Sequence, residues 1–194
     1  MVYILEEIEM YAKENKIPIM QKDGIEFMTT YIKKHHFKRI LEIGCAIGYS
    51  AIKMALIDPN IQITTIERDE ERYHMALKNI KRCHLENQIE VLHKDALDVE
   101  LGEQFDFIFI DAAKGQYIPF FEKFEKNLVV QGVIISDNLK FHGLVEKEDD
   151  GLSRNVRGIV RKLRKYIEFL KNNDRFETQF FDIGDGISIS LKIC

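Results

Sequence analysis

Only three cysteines occur in the 194 residues, at Cys45, Cys83 and Cys194, too few and too scattered for a disulfide framework. None forms a Cys-x-x-Cys pair, so free thiols in a reducing compartment are expected. No run of apolar residues is long enough to span a membrane, and the first residues carry no secretory pattern. Internal repeats, linkers and low-complexity segments are also missing, which points to a single domain over residues 1–194. Neither sign of charge dominates. Twenty-eight Lys and Arg against 32 Asp and Glu leave a net charge of −4, which gives no general reason to expect nucleic-acid binding. What remains is an ordinary globular composition, 45% hydrophobic and 31% charged, on a chain long enough for a full core. A cytoplasmic enzyme or binding protein is the expectation.

The apolar pattern alternates between strand and helix periods. "RILEIG" ends a first strand, and "YSAIKMALI" reads as a short helix with Ala51, Met54 and Ala55 inward. "IQITTIE" is a second strand, followed by a helix over 69–84 with Tyr73, Leu77 and Ile80 on one stripe. "IEVLHKD" is a third, and "FDFIFIDA" a fourth, apolar enough to be covered on both faces. A helix from about Gln116 to Asn127 leads to "GVIISDN", the fifth. A long helix and two strands, "FETQFFDI" and "ISISLKI", close the chain; the Gly-containing turn between them demands an antiparallel hairpin. The first 37 residues read as a helical cap over the sheet's ligand edge. Alternating β and α elements imply a parallel sheet with helices on both faces, which binds its ligand at the carboxyl ends of the strands.

Chemistry-bearing residues stand at those ends. After the first strand, Gly44 and Gly48 permit a tight turn and close approach to a ligand, with Ser50 adding a hydroxyl. This spacing is not the dinucleotide G-x-G-x-x-G, which disfavours a nicotinamide enzyme. The second strand ends in Glu67, about 25 residues beyond Glu42, where an acidic residue commonly bonds a ribose hydroxyl. The fourth stops at Asp111 and the fifth at Asp137-Asn138. Three converging oxygen donors suit a hard cation such as Mg²⁺, whereas the six His and three Cys show no zinc-ligand spacing. Lys114, three residues past Asp111, can reach the same cavity; an ammonium beside a divalent cation loses its proton more readily and could serve as a base.

"LEIGCAIGYSA", "TIERD", "HKDAL", "FIFIDAAKGQY", "VIISDN" and "IGDGISIS" resemble, in order and over nearly all the chain from about Pro18, the divalent-cation-dependent, S-adenosylmethionine-dependent O-methyltransferases of the catechol methyltransferase type. Within that family, "YAKENKIPIM" and "IDAAKGQY" most resemble the bacterial tRNA 5-hydroxyuridine methyltransferases. The resemblance implies an α/β, Rossmann-like class I methyltransferase fold: a seven-stranded, mostly parallel sheet with a C-terminal antiparallel hairpin and helices on both faces. It implies that Glu42, Gly44 and the Gly48-Tyr49-Ser50 turn hold the methionine part of the cofactor, Glu67 the ribose, and Asp95 and Ala96 the adenine. Met20 would close over the sulfonium and Asp111 would border the cofactor. Asp111, Asp137 and Asn138 would bind the metal, Lys114 would be the catalytic base, and the protein would be a homodimer. The one departure is at the front, where many members carry a longer helical segment.

One stretch of this net-acidic chain is strongly basic. Between 154 and 165 there are Arg154, Arg157, Arg161, Lys162, Arg164 and Lys165 with no acid among them, directly after the fifth-strand residues and their loop. Arg154, Arg157, Arg161 and Arg164 or Lys165 fall on one side of a helix, while Ile159, Leu163, Tyr166 and Leu170 can face the core. A phosphate backbone would relieve the repulsion, making this the local argument for tRNA over a small catechol-like or phenolic substrate. The acidic segment "EKEDD" or another subunit could relieve it as well. Phe141 and His142 could stack on a splayed anticodon base.

Overall fold

In the computed structural model, which describes residues 1–148 and 151–194, five apolar segments become parallel strands. They are β1 (Arg39–Ile43), β2 (Gln62–Glu67), β3 (Ile89–His93), β4 (Phe105–Ile110) and β5 (Leu128–Ser136). β6 (Phe176–Phe181) and β7 (Ile187–Lys192) form the antiparallel hairpin, and β7 also pairs antiparallel with β5. The order across the sheet is β3-β2-β1-β4-β5-β7-β6. The chain's direction of travel therefore reverses between the neighbours β1 and β4, which opens a crevice at their carboxyl ends.

Among the described residues six α-helices cover the sheet: α1 (Val2–Glu14), α2 (Lys22–His35), α3 (Tyr49–Ala55), α4 (Glu70–Arg82), α5 (Tyr117–Phe124) and α6 (Arg154–Lys171). The period-2 alternation of the strands divides the core in two. Phe107 and Phe109 of β4 face a cluster with Ile8, Met28 and Ile52, from α1, α2 and α3. Ile108 and Ile110 face the opposite way, against Tyr117, Phe121, Leu163 and Tyr166 of α5 and α6. β4 is thus covered on both sides, as its unbroken apolar run requires. Among the described residues no helix is long and apolar enough to cross a membrane.

Three elements differ from the pattern read in the sequence. α4 buries Ala76, Asn79 and Ile80, while Leu77 remains 39% exposed and Tyr73 half-buried. The rotation follows from close approach: Ala76 packs against Gly48, and Asn79 donates from Nδ2 to the Ile47 carbonyl at 3.0 Å, so a small and a polar residue face inward. β5 begins at Leu128, earlier than its apolar run, through an irregularity at which Gln131 takes a positive φ of 65°. α5 is shorter than its periodicity suggests because 3-10 turns flank it, at Lys114–Gln116 and Glu125–Asn127.

α6 is the most two-sided helix of the fold. Val160, Leu163, Tyr166 and Leu170 are buried, with Ile159 half-buried at the margin, and Ser153 caps the N-terminus by accepting from the Val156 N–H at 3.3 Å. The Tyr166 and Ser136 hydroxyls, 2.7 Å apart, join the helix to the end of β5. Leu163 is fully buried, so Leu163→Ala leaves a cavity, and the expected loss is about 2–5 kcal/mol of unfolding free energy by urea titration.

Candidate active site

The crevice holds a cavity of about 280 Å³. Its walls come from the ends of the five parallel strands and from the α1–α2 connection, which contributes Pro18, Ile19 and Met20. The geometry starts at Gly44. Its N–H and that of Cys45 both donate to the Ile66 carbonyl at 3.1 Å, and its φ is +101°. A Cβ built there would stand 2.1 Å from the Asp111 carbonyl oxygen, so only glycine lets the loop after β1 touch the end of β4. The Asp111 N–H in turn donates to the Ile43 carbonyl at 3.0 Å and that of Asp137 to the Ile110 carbonyl at 3.2 Å. The ends of β1, β4 and β5 are tied in sequence.

Of the residues expected to hold a cofactor, Met20, Gly44, Tyr49, Ser50, Glu67, Asp95, Ala96 and Asp111 line the cavity. Glu67 accepts from the backbone N–H groups of Ala46 and Asp69 at 2.8 and 2.9 Å, which fixes its carboxylate across the loop mouth. Asp95 accepts from the Leu97 N–H at 3.0 Å and pairs with Arg68 at 3.3 Å. Gly48 and Glu42 stand behind the wall. Glu42 is fully buried; Ser50 donates to one of its carboxylate oxygens and Thr65 to the other, each at 2.5 Å. Burial pushes its carboxyl up to about 7 against the pull of those two hydroxyls, and the negative charges of Asp111 and Glu67 add to the rise.

Asp111, Lys114 and Asn138 meet on the cavity's other side. The Lys114 ammonium donates to Asn138 Oδ1. Asn138 takes a left-handed φ of 62°, and its N–H donates to Asp137 Oδ1 at 2.7 Å. Asp137 is 2% exposed; burial holds its carboxyl above the usual range, and the neighbouring charge of Asp111 adds to that. Burial raises Asp111 too, opposed by the Lys114 ammonium. Tyr117 donates its hydroxyl to the Asp137 carbonyl at 3.1 Å from beneath. Two acids that resist ionising beside each other, with an amide oxygen next to them, form a donor set that a hard divalent cation would relieve. Among the described residues no three His, Cys, Asp or Glu side chains gather as a metal cluster, so the amide is the third donor that such a site would use.

Other lining residues have no individual role assigned from the sequence, although five of them lie inside the quoted motifs: Ile19, Cys45, Arg68, Lys94 and Gln116, with Arg72 and Phe120 outside them. Several lie just past a strand end or in the first turn of the next helix, a positional cue that a scan limited to the last strand residue misses. Tyr49 donates its hydroxyl to Glu9 of α1 at 2.6 Å, a contact across 40 residues that no local pattern signals. Phe141, at a positive φ of 47°, turns its ring to within 5.9 Å of the Lys114 ammonium.

The six cations of α6 separate. Arg154, Arg157, Arg161 and Lys162 line a second cleft beside the Lys114–Gln116 turn, and Lys165 is exposed outside it. Arg164 is directed elsewhere: it donates from Nε to the Val145 carbonyl at 2.9 Å and from a terminal nitrogen to the Lys147 carbonyl. Of the acidic segment after β5, Glu146 pairs with Lys140 at 3.4 Å; Asp149 and Asp150 lie outside the described residues.

Glu42 predicts a pH-dependent stability. A carboxyl at about 7 in the folded chain and at an ordinary 4.5 unfolded keeps its proton only in the folded state between those values. Its stabilising contribution is therefore complete below about 4.5 and falls away as pH rises through about 7, a change on the order of 3 kcal/mol. Urea midpoints measured across that range should show this slope in the wild type and a flattened one in Glu42→Gln.

Comparison with known proteins agrees with this geometry. The O-methyltransferase family pattern matches residues 2–193. A caffeoyl-CoA O-methyltransferase of Populus kitakamiensis is 30% identical over 181 residues, covering 89% of this chain and 77% of its own. Among solved structures, a caffeoyl-CoA O-methyltransferase candidate from Staphylococcus aureus superposes with a TM-score of 0.93 at 38% identity, covering 97% of this chain and 91% of its own. An O-methyltransferase of Bacillus cereus, solved with S-adenosylhomocysteine, gives a TM-score of 0.84 at 28% identity, with 98% and 90% covered. The chain belongs to the O-methyltransferase family.

Proposed function

We propose that the protein transfers the methyl group of S-adenosylmethionine to the hydroxyl of an aromatic ring bearing a second oxygen beside it. One observation carries this reading: a single cavity joins Glu67, Ser50 and the Gly44 loop on one side to Asp111, Asn138 and Lys114 on the other. The first group offers a ribose partner and a close-packed loop for the methyl donor, and the Bacillus cereus relative holds S-adenosylhomocysteine. The second offers oxygen donors and an amine for the acceptor.

Asp111, Asp137 and Asn138 would hold a divalent cation such as Mg²⁺, which would supply Lewis-acid stabilisation of an ionised hydroxyl. Lys114 leaves the Asn138 oxygen, releases one ammonium proton to solvent and, as the neutral amine, accepts the acceptor's proton at Nζ; the departure frees the Asn138 oxygen as a donor. The Gly44 loop and the strand ends hold methyl donor and acceptor at a fixed separation, which removes the entropy of encounter. Met20 and Ile19, from the connection over the cavity, exclude water from the reacting atoms. Lys114→Ala is expected to lower turnover by at least about 100-fold while leaving S-adenosylhomocysteine affinity within about twofold, by single-turnover assay and calorimetry. Comparable losses in both would make Lys114 a binding residue.

For the acceptor we propose 5-hydroxyuridine at the tRNA wobble position, converted to 5-methoxyuridine. Its hydroxyl and 4-carbonyl lie on neighbouring ring carbons, so the same donor set suits it, and the exposed cations of α6 lie beside the turn that carries Lys114. The second reading, a small catechol, is favoured by the caffeoyl-CoA O-methyltransferase relative, since a caffeoyl group carries vicinal hydroxyls. Mass spectrometry of tRNA nucleosides from cells with and without the gene separates them. Loss of 5-methoxyuridine-type modification is expected, and an unchanged nucleoside profile would leave the catechol reading.

A further inference from the structure

The second cleft, of about 660 Å³, lies between the N-terminal half of α6 and the turn at Gly115. Glycine stands on both of its sides. A Cβ at Gly158 would meet nothing within 4 Å, so the centre of the helical wall is open. A Cβ at Gly115 would come within 3.1 Å of the Lys162 ammonium, so Lys162 lies close against the turn. Arg154, Arg157 and Arg161 complete the wall, with Asn155 between them. The cleft therefore exposes bare backbone and converging N–H donors.

Four cations of one sign line this single cleft. Several cations elsewhere find acids: Lys38 with Asp58, Lys123 and Lys126 with Glu100, Lys140 with Asp182, and Arg175 with Glu125. Among the described residues none of the four cleft cations lies within ion-pair distance of a carboxylate. Three guanidinium groups and an ammonium facing one space repel each other, in a protein whose acids outnumber its bases. Guanidinium forks match phosphate oxygens in bidentate geometry, and open glycine backbone permits close approach. The cleft is also large enough for more than one phosphoryl group.

Its position gives the ligand a place in the reaction. Gly115 lines the cleft, while its neighbours Lys114 and Gln116 line the candidate active site. We propose that this cleft binds a phosphate-bearing part of the methyl acceptor, so that acceptor ring and phosphate straddle the Lys114–Gln116 turn. The proposal rests on reading the Lys114 cavity as the methyl-transfer site. It narrows the basic helix to four residues and leaves Arg164 and Lys165 out. The phosphate has two chemical sources, the backbone of an RNA or the phosphates of a coenzyme A thioester.

The test uses the full chain and three probes: an anticodon stem–loop RNA, coenzyme A and inorganic pyrophosphate. Lys162→Gln and Arg157→Gln are each expected to weaken binding of the phosphate-bearing probe roughly tenfold and to lower its salt slope by about 1. Lys171→Gln, at the far end of α6, should change neither. With Mg²⁺ held in excess over pyrophosphate, pyrophosphate should compete with that probe and should not inhibit methyl transfer to an unphosphorylated catechol. A response confined to the RNA identifies a nucleic-acid backbone, and one confined to coenzyme A identifies a thioester substrate. Equal weakening by Lys171→Gln, or failure of pyrophosphate to compete, would overturn the proposal, as would failure of the wild type to bind either large probe. Catechol methylation by the wild type tests the methyl-transfer reading separately, and its absence with every acceptor would defeat that reading while leaving phosphate binding measurable.

Discussion

A missing side chain at Gly44 is the constraint on which the site depends. The backbone after β1 touches the Asp111 carbonyl, with no room for a methyl group between them. This contact spans the crevice where strand order reverses, so the loop that faces one part of the cavity and the strand end that faces the other form one rigid unit. Methyl transfer needs donor and acceptor aligned to fractions of an ångström, and a shared backbone contact supplies that alignment more reliably than side-chain packing. The surrounding hydrogen bonds, from Gly44 and Cys45 to Ile66 and from Asp111 to Ile43, extend the same rigidity to β2.

Behind that loop the fold buries a charge-capable group for a positional reason. Glu42 gains nothing from solvent, yet it holds Ser50 at the start of α3 and Thr65 in β2 at once. An apolar residue there would leave two buried hydroxyls without their acceptor, so the carboxyl stays and its proton affinity rises instead. Asp137 is a comparable case at the far side: buried, raised, and held by the Asn138 backbone. Both acids are destabilising in isolation and tolerated because they fix what lies in front of them.

Much of this was legible in the sequence, and the reasons differ by element. "FDFIFI" announces a strand covered on both faces because nothing else buries the four consecutive apolar residues Phe107 to Ile110, and Asp111 is the polar residue that ends them. Lys114 and Asn138 stand just past strand ends by the same rule, and both line the cavity. Glu42 is singled out by its place in the loop motif, which suggests a cofactor contact; in the structure Ser50 and Thr65 donate to its two oxygens. The sequence separation of Thr65, and that of Glu9 from Tyr49, explains why local spacing could not indicate either partner. Leu77 misled in the opposite sense, since an apolar residue on an amphipathic helix invites burial that the close Gly48–Ala76 packing assigns to a neighbouring face.

The basic stretch divides in a way that no helical wheel could show, because one of its arginines is committed to the loop carbonyls of Val145 and Lys147. Arg164 thereby anchors the segment that follows the Asp137-Asn138 end, while Lys162, two residues before it, extends to the turn on the other side of the cavity. α6 thus contacts both flanks of the candidate acceptor pocket, and its apolar stripe fixes it to the sheet beneath. An anion drawn into the cleft would engage Lys162, which lies against Gly115, the neighbour of Lys114 in the same turn. If the cleft takes the acceptor's phosphate as proposed, acceptor size is coupled to acceptor chemistry: a ring that brings a phosphate with it would engage both sides of one three-residue turn, and a bare phenol only one.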